Sequence, residues 1–118
     1  MTAEEERLAR NEATFREANE RVNAAANRLE LDQLVPFICE CGRQECMTIV
    51  RVTTEDYERI RAVPTHFLYA AGHEKSIPSS RWVETLEGAV VVEKFDGPGR
   101  IAVETDPRAS SAPSKAAG

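Results

Sequence analysis

The chain has 118 residues, a net charge of −5 and mean hydropathy of −0.43, enough for one domain and too short for two cores. Positive and negative residues are mixed, and no Lys/Arg cluster stands out, which argues against nucleic acid or an anionic membrane surface as the main partner. No stretch approaches the roughly 18–20 apolar residues of a membrane span, and the start, Met1-Thr2-Ala3-Glu4-Glu5-Glu6, has neither the basic head nor the apolar run of a signal peptide; a cytoplasmic location is expected.

Residues 2 to about 30 contain no Pro or Gly and are rich in Ala, Glu and Arg, which predicts one long N-terminal helix. Leu8, Phe15, Val22 and Leu29 recur every seven residues, with Ala18 and Ala25 three positions after Phe15 and Val22 and Asn11 as a polar interruption after Leu8. Glu6–Arg10, Glu12–Arg16 and Glu17–Arg21 are spaced as favourable i,i+4 pairs, and Glu4, Glu5 and Glu6 suit the positive end of the helix dipole. The stripe Leu8, Phe15, Val22, Leu29 has two readings. It packs on the chain's own sheet, or it is a partner surface that pairs with a second copy or another protein as a coiled coil. A helix of this length, about 40 Å at 1.5 Å per residue, is longer than so small a domain is wide, so part of it is expected to project.

The next segment is Pro36-Phe37-Ile38-Cys39-Glu40-Cys41-Gly42-Arg43-Gln44-Glu45-Cys46 and holds all three cysteines of the chain. An odd, clustered set is not the pattern of a secreted disulfide framework, and in a reducing compartment it points to metal ligands or reactive thiols. Cys39 and Cys41, two apart on an extended segment, face the same side. Gly42 opens a turn, and Cys46 returns at the head of the next strand. Three sulfurs offered to one point suit a tetrahedral zinc ion. A closed shell needs a fourth ligand, and the only histidines are His66, entering an apolar run, and His73, in the loop Ala71-Gly72-His73-Glu74. A turn can aim its side chain at a distant loop, so His73 is the preferred ligand, with Glu74 placed to accept its ring N–H. Three thiolates and a dication leave one negative charge, which Arg43, inside the cysteine loop, is positioned to offset.

Further along, Met47–Val52 reads as a strand. A short helix follows over 54–62, capped by Thr53 with Asp56, burying Tyr57 and Ile60 and ended by Pro64. His66–Ala70 is a second strand, 71–80 a loop. Arg81–Leu86 and Ala89–Phe95 flank Glu87-Gly88 as a hairpin, with Val90-Val91-Val92 as a central strand. Asp96-Gly97-Pro98-Gly99 reads as a turn and Ile101-Ala102-Val103 as a short edge strand or helical turn; Trp82, Phe67 and Tyr57 are assigned to the core. From Asp106 onward the Ser, Ala, Pro and Lys content predicts a disordered tail. The expected organisation is therefore an N-terminal helix (1–30), a compact α+β metal-binding domain with a small, mostly antiparallel sheet (31–105), and a tail (106–118).

Several of these strings, in this order, resemble a group of short uncharacterised actinobacterial proteins: Asn11-Glu12-Ala13-Thr14-Phe15-Arg16-Glu17-Ala18-Asn19-Glu20-Arg21, Phe37-Ile38-Cys39-Glu40-Cys41 with Cys46, Thr53–Arg61, Gly72-His73-Glu74 and Val90-Val91-Val92-Glu93-Lys94. The likeness runs from about residue 7 to 108. It implies that Gly-His-Glu belongs to the shared pattern, which favours His73 over His66. Ala71 departs from it, since that position often holds Pro. The group has no assigned activity, so the resemblance adds nothing to function.

The sequence carries no phosphate loop, dinucleotide fingerprint or nucleophile elbow. The expected role is a zinc-stabilised interaction or regulatory module that is not an enzyme. The alternative is a cysteine-based redox or metal sensor. A small zinc hydrolase is a third reading; it requires an open coordination position and Glu74 or Glu45 as base.

Overall fold

The computed structural model describes residues 1–110. Helix α1 spans Ala3–Arg28 and starts in a capping box. The Glu5 N–H donates to Thr2 Oγ1 and the Thr2 N–H to Glu5 Oε1, each at 3.0 Å, and three glutamates follow in the first turn. Two strands come next, β1 (Val35–Ile38) and β2 (Ile49–Val52), paired antiparallel as a ribbon that brackets the cysteine loop. Helix α2 (Thr54–Arg61) begins where Thr53 Oγ1 accepts the Asp56 N–H, and it buries Tyr57, Ile60 and Arg61. Strand β3 (His66–Ala70) leads into a 3-10 turn at His73–Ser76, then the hairpin β4 (Ser80–Leu86) and β5 (Ala89–Lys94). The second sheet is antiparallel in the order β3-β5-β4, so the valine run sits in the central strand, as its continuous apolar pattern predicts. Helices α3 (Asp96–Glu104) and α4 (Pro107–Ser110) complete the chain. The architecture is the expected α+β one, with its strands divided between two small sheets.

Four local expectations need correction. The Asp96-Gly97-Pro98-Gly99 string is the first turn of α3. Pro is tolerated there because a first-turn N–H has no intrahelical partner. Gly99 lies so close to β5 that a Cβ would stand 2.8 Å from the Lys94 carbonyl oxygen. Trp82 is 59% exposed, its indole N–H donating to Thr85 Oγ1. A bulge between Trp82 and Glu84 shifts the alternation of β4 and turns Val83 to the core instead. Strand β2 starts at Ile49, so Cys46 lies in the loop before it. Finally, the chain remains docked beyond 105. Asp106 is buried against Arg61, and Arg108 reaches Glu20 and Glu58 from α4. The rest of the expected tail, 111–118, lies outside the described residues.

Helix α1 is the main surprise. Its buried positions are Leu8, Ala9, Glu12, Arg16, Asn19, Asn23 and Ala26, running nearly its whole length, so it lies on the domain. The heptad stripe runs along one margin of this buried face. Leu8 is 9% exposed, Phe15 and Val22 are half-buried, Val22 packs against the core, and only Leu29, at 65%, is open. The centre of the interface is polar. The Arg16 guanidinium stacks over Phe67 and donates to the carbonyls of Pro64 (2.7 Å) and Ala102 (2.8 Å). Glu12 accepts from Tyr69 Oη at 2.5 Å and Lys94 Nζ at 3.1 Å. Glu12 and Arg16 therefore do not form the surface pair their spacing suggests, whereas Glu6 and Arg10 do, at 3.2 Å. Glu40 is fully buried and accepts from Asn19 Nδ2, Tyr57 Oη and the Leu68 N–H. Each of these side chains makes hydrogen bonds, which makes its burial tolerable, although Arg16 Nε has no partner among the described residues.

Candidate metal centre

Three segments meet at one end of the domain. The strand end carries Cys39 and Cys41, the following turn carries Cys46, and the 3-10 turn after β3 carries His73. Gly42 has φ +84°, and a Cβ there would stand 2.7 Å from the Leu8 carbonyl oxygen and 2.8 Å from Glu12 Cγ, so the turn presses directly onto α1. Asn11, the polar break in the heptad pattern, donates its amide to the Gly42 carbonyl at 2.9 Å and holds that turn in place. The Cys46 N–H closes the loop onto the Arg43 carbonyl at 3.0 Å. Gly72, with φ +92°, starts the turn that swings His73 toward the sulfurs.

The ligand atoms of Cys39, Cys41, Cys46 and His73 all lie within 4.8 Å of one another, and the four side chains form a cluster that could hold a metal ion. His73 Nδ1 is 3.4 Å from Cys39 Sγ and 3.6 Å from Cys46 Sγ. A tetrahedral site with metal–sulfur bonds near 2.3 Å and metal–nitrogen bonds near 2.0–2.1 Å has N···S edges of about 3.6 Å, so these spacings suit one ion between the donors. The cysteines are free rather than paired in disulfides. Cys39 and Cys41 are buried, while Cys46 and His73 are partly exposed. His66, the other histidine, begins β3 opposite Glu93 and is outside the cluster.

The surroundings favour one thiolate over its neighbour. Cys39 Sγ accepts the Ala70 N–H at 3.1 Å. Cys41 ionises more readily than Cys39. The Cys39 thiol hydrogen-bonds to it, and despite its burial the Arg43 amide, His73 and Cys46 assist, bringing it down to about 5. The same contact, together with burial, drives Cys39 upward. Metal coordination draws on all three sulfurs as thiolates.

Arg43 and Glu74 each make a backbone hydrogen bond beside the cluster. Arg43 donates from Nη2 to the Ser76 carbonyl at 2.8 Å and straps the cysteine loop to the histidine turn. The buried cation whose pKa senses Cys41 is Lys94, held by Glu12, Tyr69 and the Pro78 carbonyl. The hydrogen bond of Glu74 goes to the Gly72 N–H at 2.9 Å, where it stiffens the turn that carries His73. Sequence reasoning missed Asn11, Glu12, Asn19, Glu40 and Lys94 as parts of this end of the molecule. Their one sequence signal is that Glu12, Arg16, Asn19 and Asn23 themselves fall at helical spacing.

Compared with protein-family models, with curated proteins and with solved structures, the chain matches none. No helix among the described residues is long and apolar enough to cross a membrane.

Proposed function

We propose that this chain is a small interaction or regulatory module whose fold is completed by one structural zinc ion bound by Cys39, Cys41, Cys46 and His73. The observation that carries the reading is the convergence of three sulfurs and one imidazole nitrogen from three segments onto a single point. Three thiolates and an imidazole favour zinc among the common divalent ions. Four protein donors close a tetrahedral shell and leave no coordination position for a substrate water, so a structural role fits better than a hydrolytic one. With zinc bound the cluster carries one net negative charge, and Lys94 and Arg43 are the cations that balance it.

The test is metal analysis of protein purified without added metal, followed by melting with and without a strong chelator. About one zinc per chain and collapse of the cooperative melt on chelation are expected. A full cooperative melt of the metal-free protein would end the reading.

The partial exposure of Cys46 and His73 favours one second reading, a metal-based redox sensor. Dilute peroxide separates the two. A structural site keeps its zinc, whereas a sensor releases it as Cys46 is oxidised.

A further inference from the structure

The two sheets present four strand edges, and three of them are covered or broken. The outer edge of β3 is occupied by the cysteine segment. The Glu40 N–H donates to the Leu68 carbonyl, the Leu68 N–H to Glu40 Oε1, and the Ala70 N–H to Cys39 Sγ. Strand β4 carries the bulge and the charged residues Arg81 and Glu84. The outer edge of β1 is closed by Pro36, which has no N–H, and by Asn19. The Asn19 amide donates to the Ile38 carbonyl at 2.8 Å and accepts the Ile38 N–H at 2.9 Å, as a neighbouring strand would. Such devices are how proteins blunt strand edges.

The edge of β2 has no bulge, proline or covering segment, and Arg51 is its one charged residue. The Cys39 N–H bonds to the Thr48 carbonyl, so residues 48, 50 and 52 point their backbone groups at β1. Ile49 and Arg51 therefore turn their N–H and C=O groups the other way, where none has a partner among the described residues. Alongside runs a groove of about 430 Å³, floored by β2 and walled on its far side by the hairpin tip Leu86-Glu87-Gly88. Leu34 and Ile49, 56% and 43% exposed, give it apolar contact surface.

We propose that the β2 edge is a docking site for an extended peptide segment of a partner protein, which adds as a strand between β2 and the hairpin tip. The four backbone groups of Ile49 and Arg51 supply the main-chain hydrogen bonds of such β-augmentation. Alternate apolar side chains of the peptide contact Leu34, Ile49 and Leu86. A basic side chain faces Glu87 and an acidic one faces Arg51, neither of which has an ion-pair partner among the described residues, whereas the Asp56 carboxylate in the same groove is already paired with Arg59.

This surface deepens the interaction-module reading and rests on it, while none of its lining residues belongs to the Cys/His cluster. The probe is a phage-displayed library of random linear nonapeptides, selected on the full chain with its metal content measured, with the most enriched sequence then synthesised. Micromolar binding is expected, with slowed hydrogen exchange at the Ile49 and Arg51 amides. Arg51→Pro removes one outward N–H that lies outside the β1–β2 ladder. It is expected to weaken binding by roughly tenfold or more with melting and metal content unchanged. N-methylation of alternate peptide amides, measured on the unaltered chain, reads the same bonds without any risk to folding. The proposal is overturned if no peptide is enriched, if methylation at every position leaves affinity intact, or if protection maps to α1. It is also overturned if a concentration-dependent dimer protects Ile49 and Arg51 without peptide. One zinc per chain without peptide binding defeats this inference alone; peptide binding to a chain that never carries metal defeats the zinc reading alone.

Discussion

Near the start of α1, Asn11 grips the turn between Cys41 and Cys46; from there along the same helix, Glu12, Arg16, Asn19 and Asn23 reach into a core where apolar side chains would be expected. Both regions are polar and buried. The Cys/His cluster, which could hold a metal ion, is built from residue types whose chemistry is nearly exclusive, and its members lie close in sequence apart from one histidine. The underside of α1 is built from residues that are ordinary on a helix surface and become buried because partners from α2, β3, β5, α3 and the Cys39–Cys41 segment arrive to bond them. A cluster of thiols announces itself, whereas a buried carboxylate is visible only together with its donors.

The largest effect should come from the metal side. Cys46→Ser or His73→Ala, or chelation of the unaltered chain, removes a contribution on the order of 10–16 kcal/mol typical of structural zinc, against a total stability of about 5–15 kcal/mol for a domain. Circular dichroism should show loss of the cooperative melt. If these variants melt like the unaltered chain, the contrast between the regions collapses.

The polar side should follow at about a third of that. Arg61 is fully buried between Glu20 (2.7 Å) and Asp106, and Arg61→Ala leaves the buried Asp106 carboxylate without its cation while Glu20 keeps Arg108. A cost of about 3–5 kcal/mol is expected by chemical denaturation.

Glu12 gives the comparison a pH signature. Burial outweighs the Lys94 and Tyr69 contacts and raises its carboxyl from 4.5 to about 7. Between these values the unfolded chain ionises while the folded one holds the proton, so the folded state binds more protons and stability falls as pH rises. The loss, on the order of 3 kcal/mol, is absent below the lower value and complete above the upper one. Glu12→Gln should remove it, so the variant gains on the unaltered chain across that window. A constant difference between the two would show that the carboxylate is ionised throughout.

The smallest effects sort the heptad stripe. Leu8→Ala should cost about 2–3 kcal/mol as a core truncation, while Leu29→Ala, at an exposed site, should stay within about 0.5 kcal/mol. Equal effects would mean that Leu29 is covered in solution.

Local chemistry made much of the fold legible. Thr53 and Pro64 bounded α2, Glu87-Gly88 marked the hairpin, and Val90-Val91-Val92 marked a strand covered on both faces. It failed where neighbours decide. Trp82 is large and apolar, but β4 turns it outward and packs its neighbour Val83 on the core. Gly97-Pro98-Gly99 has turn composition, but packing of Ile101 and Ala102 made it a helix start. At the metal centre, the donors were legible and the jobs of Arg43 and Glu74 were not, because each bonds a backbone group whose position depends on how two loops meet.

The sequence by itself determined the long helix, the antiparallel α+β class and the cluster of thiols, since caps, periodicity and sulfur chemistry act over a few residues. Only the tertiary structure decided which face of α1 is buried, that Asn19 closes one strand edge while β2 stays open, and that His73 stands among the sulfurs. Each of these depends on a hydrogen bond or a spacing between residues far apart in the chain, and no local pattern encodes such a distance.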